Sequence, residues 1–292
     1  MSWQSGFEPI IKHNVPLAPL TWFRLGGPAK YLIEPRDAAE LSAIVRRLNE
    51  EKIPTCILGG GANLLISDQG VNGAVIRLTA PAFNQVEISG AQVRAGGGQD
   101  VAKLVVQVVR AGLGGLECLA GIPGSVGGEI RMNAGGAFGD IGSRVLEISV
   151  MDSAGNLDTR KRDDLVFEYR KSNINAKFIL SATFDMEPGN PERLAERMKE
   201  IWMYKQNTQP LRANSAGCIF RNVNGKSAGA IIDQAGLKGL RVGGAEISTQ
   251  HANFIVADPQ AKAADVIELI ETVKSRVHDT MKIDLEPEVV IW

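Results

Sequence analysis

The apolar residues of the first part of the chain follow two different periods. Three short apolar runs are typical of strands, and they occupy residues 29–33, 53–58 and 74–78. Between the first two runs, four apolar residues recur at helical spacing: Leu41, Ile44, Val45 and Leu48. Asp37 stands where this helix would begin, and Glu40 follows at the spacing of a capping box. This part of the chain therefore predicts a β-α-β-β unit.

A second set of elements begins near residue 85. Residues 86–89 and 92–95 flank Ser-Gly-Ala and predict a hairpin. Asp100 predicts the start of a helix that ends near Gly112 and has an apolar face of Val101, Leu104, Val105 and Val108. Further strands are predicted at 144–151, 157–160 and 178–186, and a helix at about 191–205.

The last part of the chain also mixes helices with strands. Helices are predicted near 227–234 and 261–280, a strand at 252–257 and a final extended segment at 285–291. Because hairpins occur among the strands, the pattern favours an α+β fold over a regular parallel sheet.

Glycine is concentrated in two segments. The first glycine segment, residues 59–64, reads GGGANL and follows a predicted strand; the second glycine segment, residues 119–139, reads LAGIPGSVGGEIRMNAGGAFG. Such density predicts a rigid loop that presents backbone N–H groups to an anionic or flat ligand. The alternative is a connection whose turns need positive φ angles. The first glycine segment matches neither the dinucleotide G-x-G-x-x-G pattern nor the P-loop pattern. The presence of two glycine segments suggests one extended cofactor bound by both.

Composition narrows the class of protein. The 292 residues include 32 basic and 33 acidic ones, which gives no basic excess for nucleic acid. The N-terminus, MSWQSGFEP, does not resemble a signal peptide, and no apolar run reaches the ~18–20 residues that span a bilayer. The three cysteines are far apart, and no Cys or His pair has the spacing of metal ligands. We therefore expect a cytoplasmic protein without metal, nucleic acid, membrane or obligate protein partner.

Four polar motifs each have a structural and a functional interpretation. They are EYRKS (168–172), SAGCIFRN (215–222), LEPEV (285–289) and GGAEI with QHANF (243–254). Arg170 is either a surface cation or a planar fork for a carboxylate or enolate. Cys218 is either inert packing or an acid, because a thiol with a reference pKa of ~8.5 keeps its proton at neutral pH. The glutamates of LEPEV and the polar residues of the last motif are either solvated or part of a site.

Eight motifs occur in one order along nearly the whole chain: TWFRLGGPA, LGGGANLL, GIPGSVGGEIRMNAGG, YRKS, SAGCIFRN, GGAEIS, HANFIV and LEPEV. In this combination the chain resembles the UDP-N-acetylenolpyruvoylglucosamine reductase family of flavoenzymes. It resembles the shorter, second type, because no long insertion separates YRKS from SAGC. The resemblance implies an oxidoreductase that uses NADPH and FAD to reduce UDP-N-acetylglucosamine enolpyruvate to UDP-N-acetylmuramate. This reaction belongs to peptidoglycan precursor synthesis, and thus to cell wall biogenesis, cell shape and cell division.

The resemblance also implies a domain organisation. An FAD-binding fold of two subdomains, like that of the vanillyl-alcohol-oxidase or PCMH type, would occupy residues 1–80 and 81–205. A C-terminal α+β substrate-binding domain would occupy residues 206–292. We expect non-covalent FAD. The histidines are His13, His251 and His278, so no histidine lies in or between the two glycine segments, where a covalent flavin link would be expected.

The family's catalytic residues fall on Arg170, Cys218 and Glu288 of this chain. Hydride would reach C3 of the enolpyruvyl group, Arg170 and Glu288 would polarise its carboxylate, and Cys218 would protonate C2. The expected FAD-binding residues are Arg24, Gly26, Gly59, Gly60, Gly61, Ala62, Asn63, Leu64, Gly121, Ile122, Pro123, Gly124, Ser125, Gly127, Gly128, Asn133, Ala134 and Gly135. The expected substrate-binding residues are Lys205, Arg212, Arg221, Asn222 and His251.

The chain departs from the family pattern at a few positions. Cys218 replaces a serine that is common in relatives, Glu129 replaces a small residue, and Val290 replaces an arginine beside Glu288. Two rival functions remain: another flavin oxidoreductase on the same scaffold, such as an alcohol oxidase, and a nucleotide-sugar binding module without flavin. The YRKS, SAGC and LEPEV motifs argue against the first, and the intact glycine segments argue against the second.

Overall fold

The computed structural model describes residues 3–292. Its α-helices are α1 (Ala38–Glu50), α2 (Val101–Arg110), α3 (Val126–Met132), α4 (Pro191–Thr208), α5 (Ala228–Gln234) and α6 (Ala263–Met281).

The strands are distributed along the whole of this range. They are β1 (Ile11–Pro16), β2 (Pro28–Ile33), β3 (Thr55–Ile57), β4 (Leu64–Leu65), β5 (Val71–Ile76), β6 (Val86–Ser89), β7 (Gln92–Gly96), β8 (Leu113–Gly114), β9 (Gly135–Gly136), β10 (Gly139–Asp140), β11 (Val145–Met151), β12 (Leu157–Lys161), β13 (Phe167–Glu168), β14 (Lys171–Ser172), β15 (Phe178–Asp185), β16 (Glu187–Pro188), β17 (Arg241–Val242), β18 (Ala245–Ile247), β19 (Ile255–Ala257) and β20 (Val290–Ile291).

The strands form three main sheets. A four-stranded sheet has the order β1-β2-β5-β3, with β3 and β5 parallel. A five-stranded antiparallel sheet has the order β12-β11-β15-β7-β6. A three-stranded antiparallel sheet has the order β17-β18-β19. Mixed parallel and antiparallel pairing with interspersed helices confirms the predicted α+β class.

The chain divides into two compact units, neither of which is continuous in sequence. Among the described residues, unit 1 comprises residues 3–13, 31–60 and 73–204, and unit 2 comprises residues 14–30, 61–72 and 205–292. The chain passes from one unit to the other within β1, β2 and β5. The division at residues 80 and 205 that the sequence predicts stays a prediction.

Unit 1 contains two clusters of buried apolar residues. One lies between the five-stranded sheet and helices α2 and α3, and includes Leu104, Ile130 and Ile148. The other is formed around α1 by Leu41, Ile44, Val45 and Leu48, all of which are buried. The side chains of Asp37 and Asp100 each accept a backbone N–H in the first turn of α1 and α2, as the sequence predicts.

Unit 2 has one large apolar cluster built from distant parts of the chain. Helix α6 contributes Val266, Leu269, Ile270, Val273 and Val277, and each is at most 1% exposed. Phe23, Leu25 and Leu65 join residues 216–289 in the same cluster. The early segments of the chain are therefore integral to the core of unit 2.

The second glycine segment differs from the rigid loop predicted for it, because helix α3 forms inside it. Ser125 caps this helix, and Val126 and Ile130 are buried. A Cβ on Gly127 would lie 3.1 Å from the carbonyl oxygen of Gly97, so glycine lets the helix pack closely on its neighbour. The sequence did not predict this helix because glycines, which allow close backbone packing, stand at positions where an apolar periodicity would otherwise indicate a helix. Within the predicted final segment at 285–291, the regular strand is β20.

Candidate active site

The two glycine segments touch each other within unit 1. A Cβ on Gly60 would lie 2.8 Å from the Cα of Gly124, and a Cβ on Gly59 would lie 2.5 Å from the Oγ of Ser125. Real side chains do not approach backbone so closely, so only glycine permits the contact at residue 60. At residue 59 a side chain would displace the Ser125 hydroxyl. The predicted FAD-binding residues of unit 1 therefore come from two segments packed backbone against backbone.

The C-terminal end of α3, which lies within the second glycine segment, contacts the Arg170 motif. The helix ends at Asn133, which has a left-handed conformation with φ 44° and ψ 57°. The Asn133 side chain accepts a hydrogen bond from the Gly142 N–H and donates one to the Glu168 carbonyl, each at 3.0 Å. Asn133 is thus a structural link between α3 and the strand before Arg170, and its predicted contact with FAD stays a prediction.

Arg170 lies in the tight turn between β13 and β14. Its φ is +55°, and a non-glycine residue held in this region costs about 1–3 kcal/mol, typically where function requires it. Its Nη1 donates to the Gly135 carbonyl at 2.9 Å, and its guanidinium lies 5.4 Å from the ring centroid of Tyr169. These contacts distinguish Arg170 from a freely solvated surface cation and support the functional interpretation.

The rest of the first glycine segment belongs to unit 2, together with Arg24 and Gly26. Gly61 has φ +66°, and a Cβ there would lie 2.3 Å from the Leu20 carbonyl oxygen. Arg24 also has a positive φ, +57°, and its Nη1 donates to the Pro19 carbonyl at 2.5 Å. The guanidinium of Arg24 therefore stabilises the turn in which it lies.

Asn63 of the first glycine segment holds the LEPEV motif within unit 2. Its side-chain amide donates to the Glu288 carbonyl at 3.2 Å, and its own carbonyl accepts from the Val290 N–H at 3.2 Å. Strands β4 and β20 then pair in parallel, with Leu64 opposite Val290. Asn63 and β4 thus fix the backbone at the carbonyl of Glu288 and at Val290.

Cys218 and Glu288 lie on neighbouring extended segments of unit 2. The carbonyl of Ile219, the residue after Cys218, accepts from the Glu288 N–H at 2.7 Å. One step further, the Arg221 N–H donates to the Glu286 carbonyl at 2.9 Å. The structure therefore brings these two predicted catalytic residues together, whereas Arg170 is part of unit 1.

Asn253 positions the Cys218 segment and was missed by the sequence analysis as a site residue. It is 2% exposed, and its side chain exchanges two hydrogen bonds with the backbone of Phe220, at 2.9 and 2.8 Å. Its backbone carbonyl accepts from the Ile219 N–H at 2.8 Å. The available signal was an asparagine inside the apolar run of HANFIV, because a buried amide there must find hydrogen-bond partners.

The predicted substrate-binding residues are all in unit 2 but differ in environment. Lys205 is 6% exposed near the end of α4, whereas Arg212 is exposed. Arg221 forms an ion pair with Glu286 at 3.6 Å, and the Asn222 side chain accepts from the Ala228 N–H at 3.0 Å. Arg221 and Asn222 thus have contacts within the protein, and substrate binding by this set stays a prediction.

His251 is half-buried beside the ring of Phe254, with ring centroids 4.9 Å apart. Its Nδ1 accepts from the Asn253 N–H at 3.2 Å, which requires an unprotonated nitrogen. Burial lowers the pKa of His251. A hydrogen bond with backbone raises this pKa, and the charge of nearby Lys238 lowers it, so the pKa stays below its ordinary value. Neutral His251 therefore helps to hold Asn253, which in turn positions the Cys218 segment.

Comparison with known proteins places this geometry in a family. Residues 29–159 match a model described as an FAD binding domain, and residues 209–292 match the UDP-N-acetylenolpyruvoylglucosamine reductase C-terminal domain. UDP-N-acetylenolpyruvoylglucosamine reductase 2 of Symbiobacterium thermophilum is 41% identical, over 97% of this chain and 92% of that protein. The chain belongs to the UDP-N-acetylenolpyruvoylglucosamine reductase family. It is an FAD-binding oxidoreductase, as the sequence motifs predict.

Other relatives agree along nearly the full length. The UDP-N-acetylenolpyruvoylglucosamine reductase of Chlamydia muridarum is 41% identical over 98% of this chain and 96% of its own. The crystal structure of the reductase from Thermus caldophilus superposes with a TM-score of 0.83 at 38% identity, covering 95% of this chain and 97% of that one. The Bermuda grass isoallergen BG60 resembles this chain in fold alone, with a TM-score of 0.50 at 18% identity over 65% of this chain. These likenesses confirm the predicted FAD-binding fold joined to the family's C-terminal domain.

The residues of unit 1 fit the FAD of this reductase family. Gly59 and Gly60 expose backbone, without side chains, beside Gly124 and Ser125. A Cβ on Gly136 would meet no atom within 4 Å, so this part of the second glycine segment borders open space. Such a surface admits a diphosphate or a flat ring close to backbone N–H groups.

Within residues 3–292, no cluster of His, Cys, Asp or Glu has the arrangement of a metal site. No helix in the same range is long and apolar enough to cross a membrane. Cys56, Cys118 and Cys218 are present as thiols, and Cys118 is buried.

Proposed function

We propose that the protein uses NADPH to reduce UDP-N-acetylglucosamine enolpyruvate to UDP-N-acetylmuramate, a step in peptidoglycan precursor synthesis. The observation that carries this proposal is the paired backbone of the Cys218 and Glu288 segments, in a chain that matches family members along nearly its whole length. When bound, FAD would supply the redox chemistry, which is the transfer of hydride from NADPH to C3 of the enolpyruvyl group.

Arg170 is proposed to bind the substrate carboxylate. As charge builds on C2 and the carboxylate, a planar guanidinium can donate two parallel hydrogen bonds to it. The strained backbone and the contact with the Gly135 carbonyl hold Arg170 in one place before substrate binds, which supports this role. Preorganised charge of this kind stabilises a transition state without reorganisation.

Cys218 is proposed to deliver the proton to C2, and Glu288 to assist at the carboxylate. Glu288 can donate a hydrogen bond there only when it is protonated or shares a proton. Asn63 and Asn253 hold the backbones at Glu288 and next to Cys218, so the two groups keep a fixed separation. Lys205, Arg212 and Arg221 are proposed to bind the nucleotide diphosphate, with Asn222 and His251 contributing polar contacts.

The proposal is tested by comparing NADPH oxidation in the presence of the enolpyruvyl UDP-sugar with NADPH oxidation in the presence of simple alcohols. The purified protein, loaded with FAD, is expected to oxidise NADPH continuously with the enolpyruvyl UDP-sugar and not with simple alcohols. Product is identified by its mass, which must rise by two hydrogen atoms. Turnover with alcohols would favour an oxidase, and tight binding of the UDP-sugar without NADPH oxidation would favour a binding module.

A further inference from the structure

Residues 168–177, called here the Arg170 segment, are attached to the C-terminal end of α3 through the side chain of Arg131. The Nη1 of Arg131 donates to the Ile174 carbonyl at 2.6 Å. Its Nη2 donates to the Ala176 carbonyl at 2.6 Å and to the Lys177 carbonyl at 3.1 Å. One guanidinium thus binds three carbonyl groups of the Arg170 segment.

This guanidinium is held in an unusual environment for a charge. Burial lowers the pKa of Arg131, and its hydrogen-bond partners among the described residues are backbone carbonyls. Burying a charge is costly unless its hydrogen-bonding capacity is used, so these contacts have to remain intact together. A lysine would keep the charge but lose the planar fork that spans separate carbonyls.

Three further hydrogen bonds join the same two stretches of chain. The Ser172 Oγ donates to the carbonyl of Arg131 itself at 2.9 Å. The Asn133 side chain donates to the Glu168 carbonyl, and Arg170 donates to the Gly135 carbonyl. Both ends and the middle of the Arg170 segment are therefore bound to residues 131–135. These residues form the C-terminal end of α3 and the stretch after it, which includes the predicted FAD-binding residues 133–135.

We propose that Arg131 is a positioning residue that acts through Arg170: its three carbonyl contacts fix the Arg170 segment on the end of α3. The proposal rests on the function proposed above, because it assigns to Arg131 the placement of the residue that binds the substrate carboxylate. Arg131 itself performs no chemistry. A shift of about 1 Å in a reacting group costs roughly 10²-fold in rate, so a loosened segment is sufficient to impair the reaction.

The test compares Arg131→Lys with Arg110→Lys, an exposed arginine at the end of α2. In Arg131→Lys, hydrogen exchange at the backbone of residues 168–177 is expected to accelerate. Reoxidation of reduced flavin by the enolpyruvyl sugar is expected to slow by roughly 10–100-fold. Flavin content and flavin reduction by NADPH are expected to stay within about twofold of the unmutated enzyme, as in the Arg110→Lys control.

A double-mutant cycle with Arg170→Lys separates positioning from general support of the fold. If Arg131 acts through Arg170, the two substitutions together slow reoxidation little more than Arg170→Lys does alone. Additive losses, or unchanged exchange in residues 168–177, would overturn the proposal. Should Arg131→Lys fail to fold, Ser172→Ala is tested instead, because it removes only the hydrogen bond to the Arg131 carbonyl. The rate of reoxidation by the enolpyruvyl sugar then has to fall by a smaller factor, while flavin reduction by NADPH stays unchanged.

Failure of the proposed function would look different. If the protein catalyses another reaction, the enolpyruvyl sugar does not reoxidise the reduced flavin of the unmutated enzyme. If only the role of Arg170 is wrong, Arg170→Lys leaves reoxidation by the enolpyruvyl sugar intact. Hydrogen exchange in the Arg131→Lys protein would still decide whether Arg131 fixes the segment.

Discussion

Cys218 is held by its neighbours through the backbone, so its side chain can be changed with little effect on the paths of the strands. The hydrogen bonds of Ile219 and Phe220 to Asn253 involve only backbone atoms of the Cys218 segment. The antiparallel bridge between Cys218 and Phe254 likewise involves only backbone. Substitutions at this residue therefore report on its chemistry more than on folding.

Cys218→Ser is expected to keep substantial activity, whereas Cys218→Ala is expected to slow reoxidation of reduced flavin by the enolpyruvyl sugar by ~10²–10⁴-fold. The reason is that a general acid of any kind is required at C2, and such groups contribute about that factor. Single-turnover absorbance of the flavin measures both variants. Flavin reduction by NADPH serves as the control and should be nearly unchanged.

If Cys218 only packs, the two variants are expected to differ little in rate. Alanine would then be tolerated about as well as serine, because a partly buried hydroxyl without a partner is itself costly. An alanine variant that reoxidises at close to the original rate would remove Cys218 from the mechanism.

Arg170→Lys is expected to slow reoxidation by the enolpyruvyl sugar by roughly 10–100-fold, as expected from losing one charge-assisted hydrogen bond of ~1.5–3 kcal/mol. Flavin reduction by NADPH should change far less, because the substrate carboxylate takes no part in it. Stopped-flow spectroscopy of the two half-reactions measures the split. Equal losses in both halves would contradict the assigned role.

At the scale of elements, each glycine segment holds a segment that carries a predicted catalytic residue. The first does so through Asn63, which binds the Glu288 carbonyl and the Val290 N–H. The second does so through Asn133 and Gly135, which bind the segment around Arg170. A change in backbone geometry of either segment is therefore expected to affect cofactor binding and catalysis together.

Gly60→Ala is expected to raise the Kd for FAD at least tenfold. The added Cβ would lie 2.8 Å from the Cα of Gly124, and backbone atoms on both sides cannot move aside as a flexible side chain can. Flavin absorbance relative to protein, after equilibration with FAD at a concentration near the Kd of the unmutated protein, measures the loss of occupancy; about 1.4 kcal/mol of strain at the site is sufficient for a tenfold change in Kd.

Gly189→Ala is the matched control in unit 1. Its added Cβ would meet only the side chain of Leu194, at 3.3 Å, and no positive φ is involved. Normal FAD occupancy in Gly60→Ala would show that the contact between the glycine segments can relax.

Sequence patterns predicted those elements whose hydrophobic period and caps agree. Helices α1 and α2 were predicted because an aspartate precedes a clear apolar face in each. Helix α3 was not, because glycines occupy positions where close backbone contact replaces apolar burial. The roles of Asn253 and Arg131 were also not predictable, since their partners are backbone groups 33 and 43–46 residues away in sequence. The family motifs named Arg170, Cys218 and Glu288, but motifs do not reveal which residues support them.

At the scale of the whole molecule, FAD is expected to be bound without a covalent link and in about a one-to-one ratio. Backbone at the glycine segments, rather than a nucleophilic side chain, forms the surface that fits the cofactor. Acid precipitation should release all flavin into the supernatant, where absorbance quantifies it against protein. Flavin that remains in the washed precipitate would contradict this expectation.

Protein stability is expected to fall as the pH drops below about 6.5, in part through His251. The pKa of His251 is lowered from 6.5 in the folded protein, mainly by burial, so the unfolded chain binds a proton more readily. The contribution of neutral His251 is thus fully present above pH 6.5 and is lost as the pH falls through the lower, folded value.

Urea unfolding between pH 8 and pH 5 measures this contribution. The free energy of unfolding of the unmutated protein should decrease more steeply below pH 6.5 than that of His251→Gln, which cannot titrate there. Parallel curves for the two proteins would show that His251 protonation is not linked to folding.

The discontinuous core of unit 2 has a consequence for biosynthesis. Phe23, Leu25 and Leu65 emerge from the ribosome long before residues 216–289, which bury them. At ~5–20 residues per second the interval is roughly 10–40 s. Unit 1 has all of its residues by position 204, whereas Leu65 and Ser67 exchange hydrogen bonds with Trp292 only after the last strand is made. During translation, these three apolar side chains are therefore where a nascent-chain chaperone has most to protect.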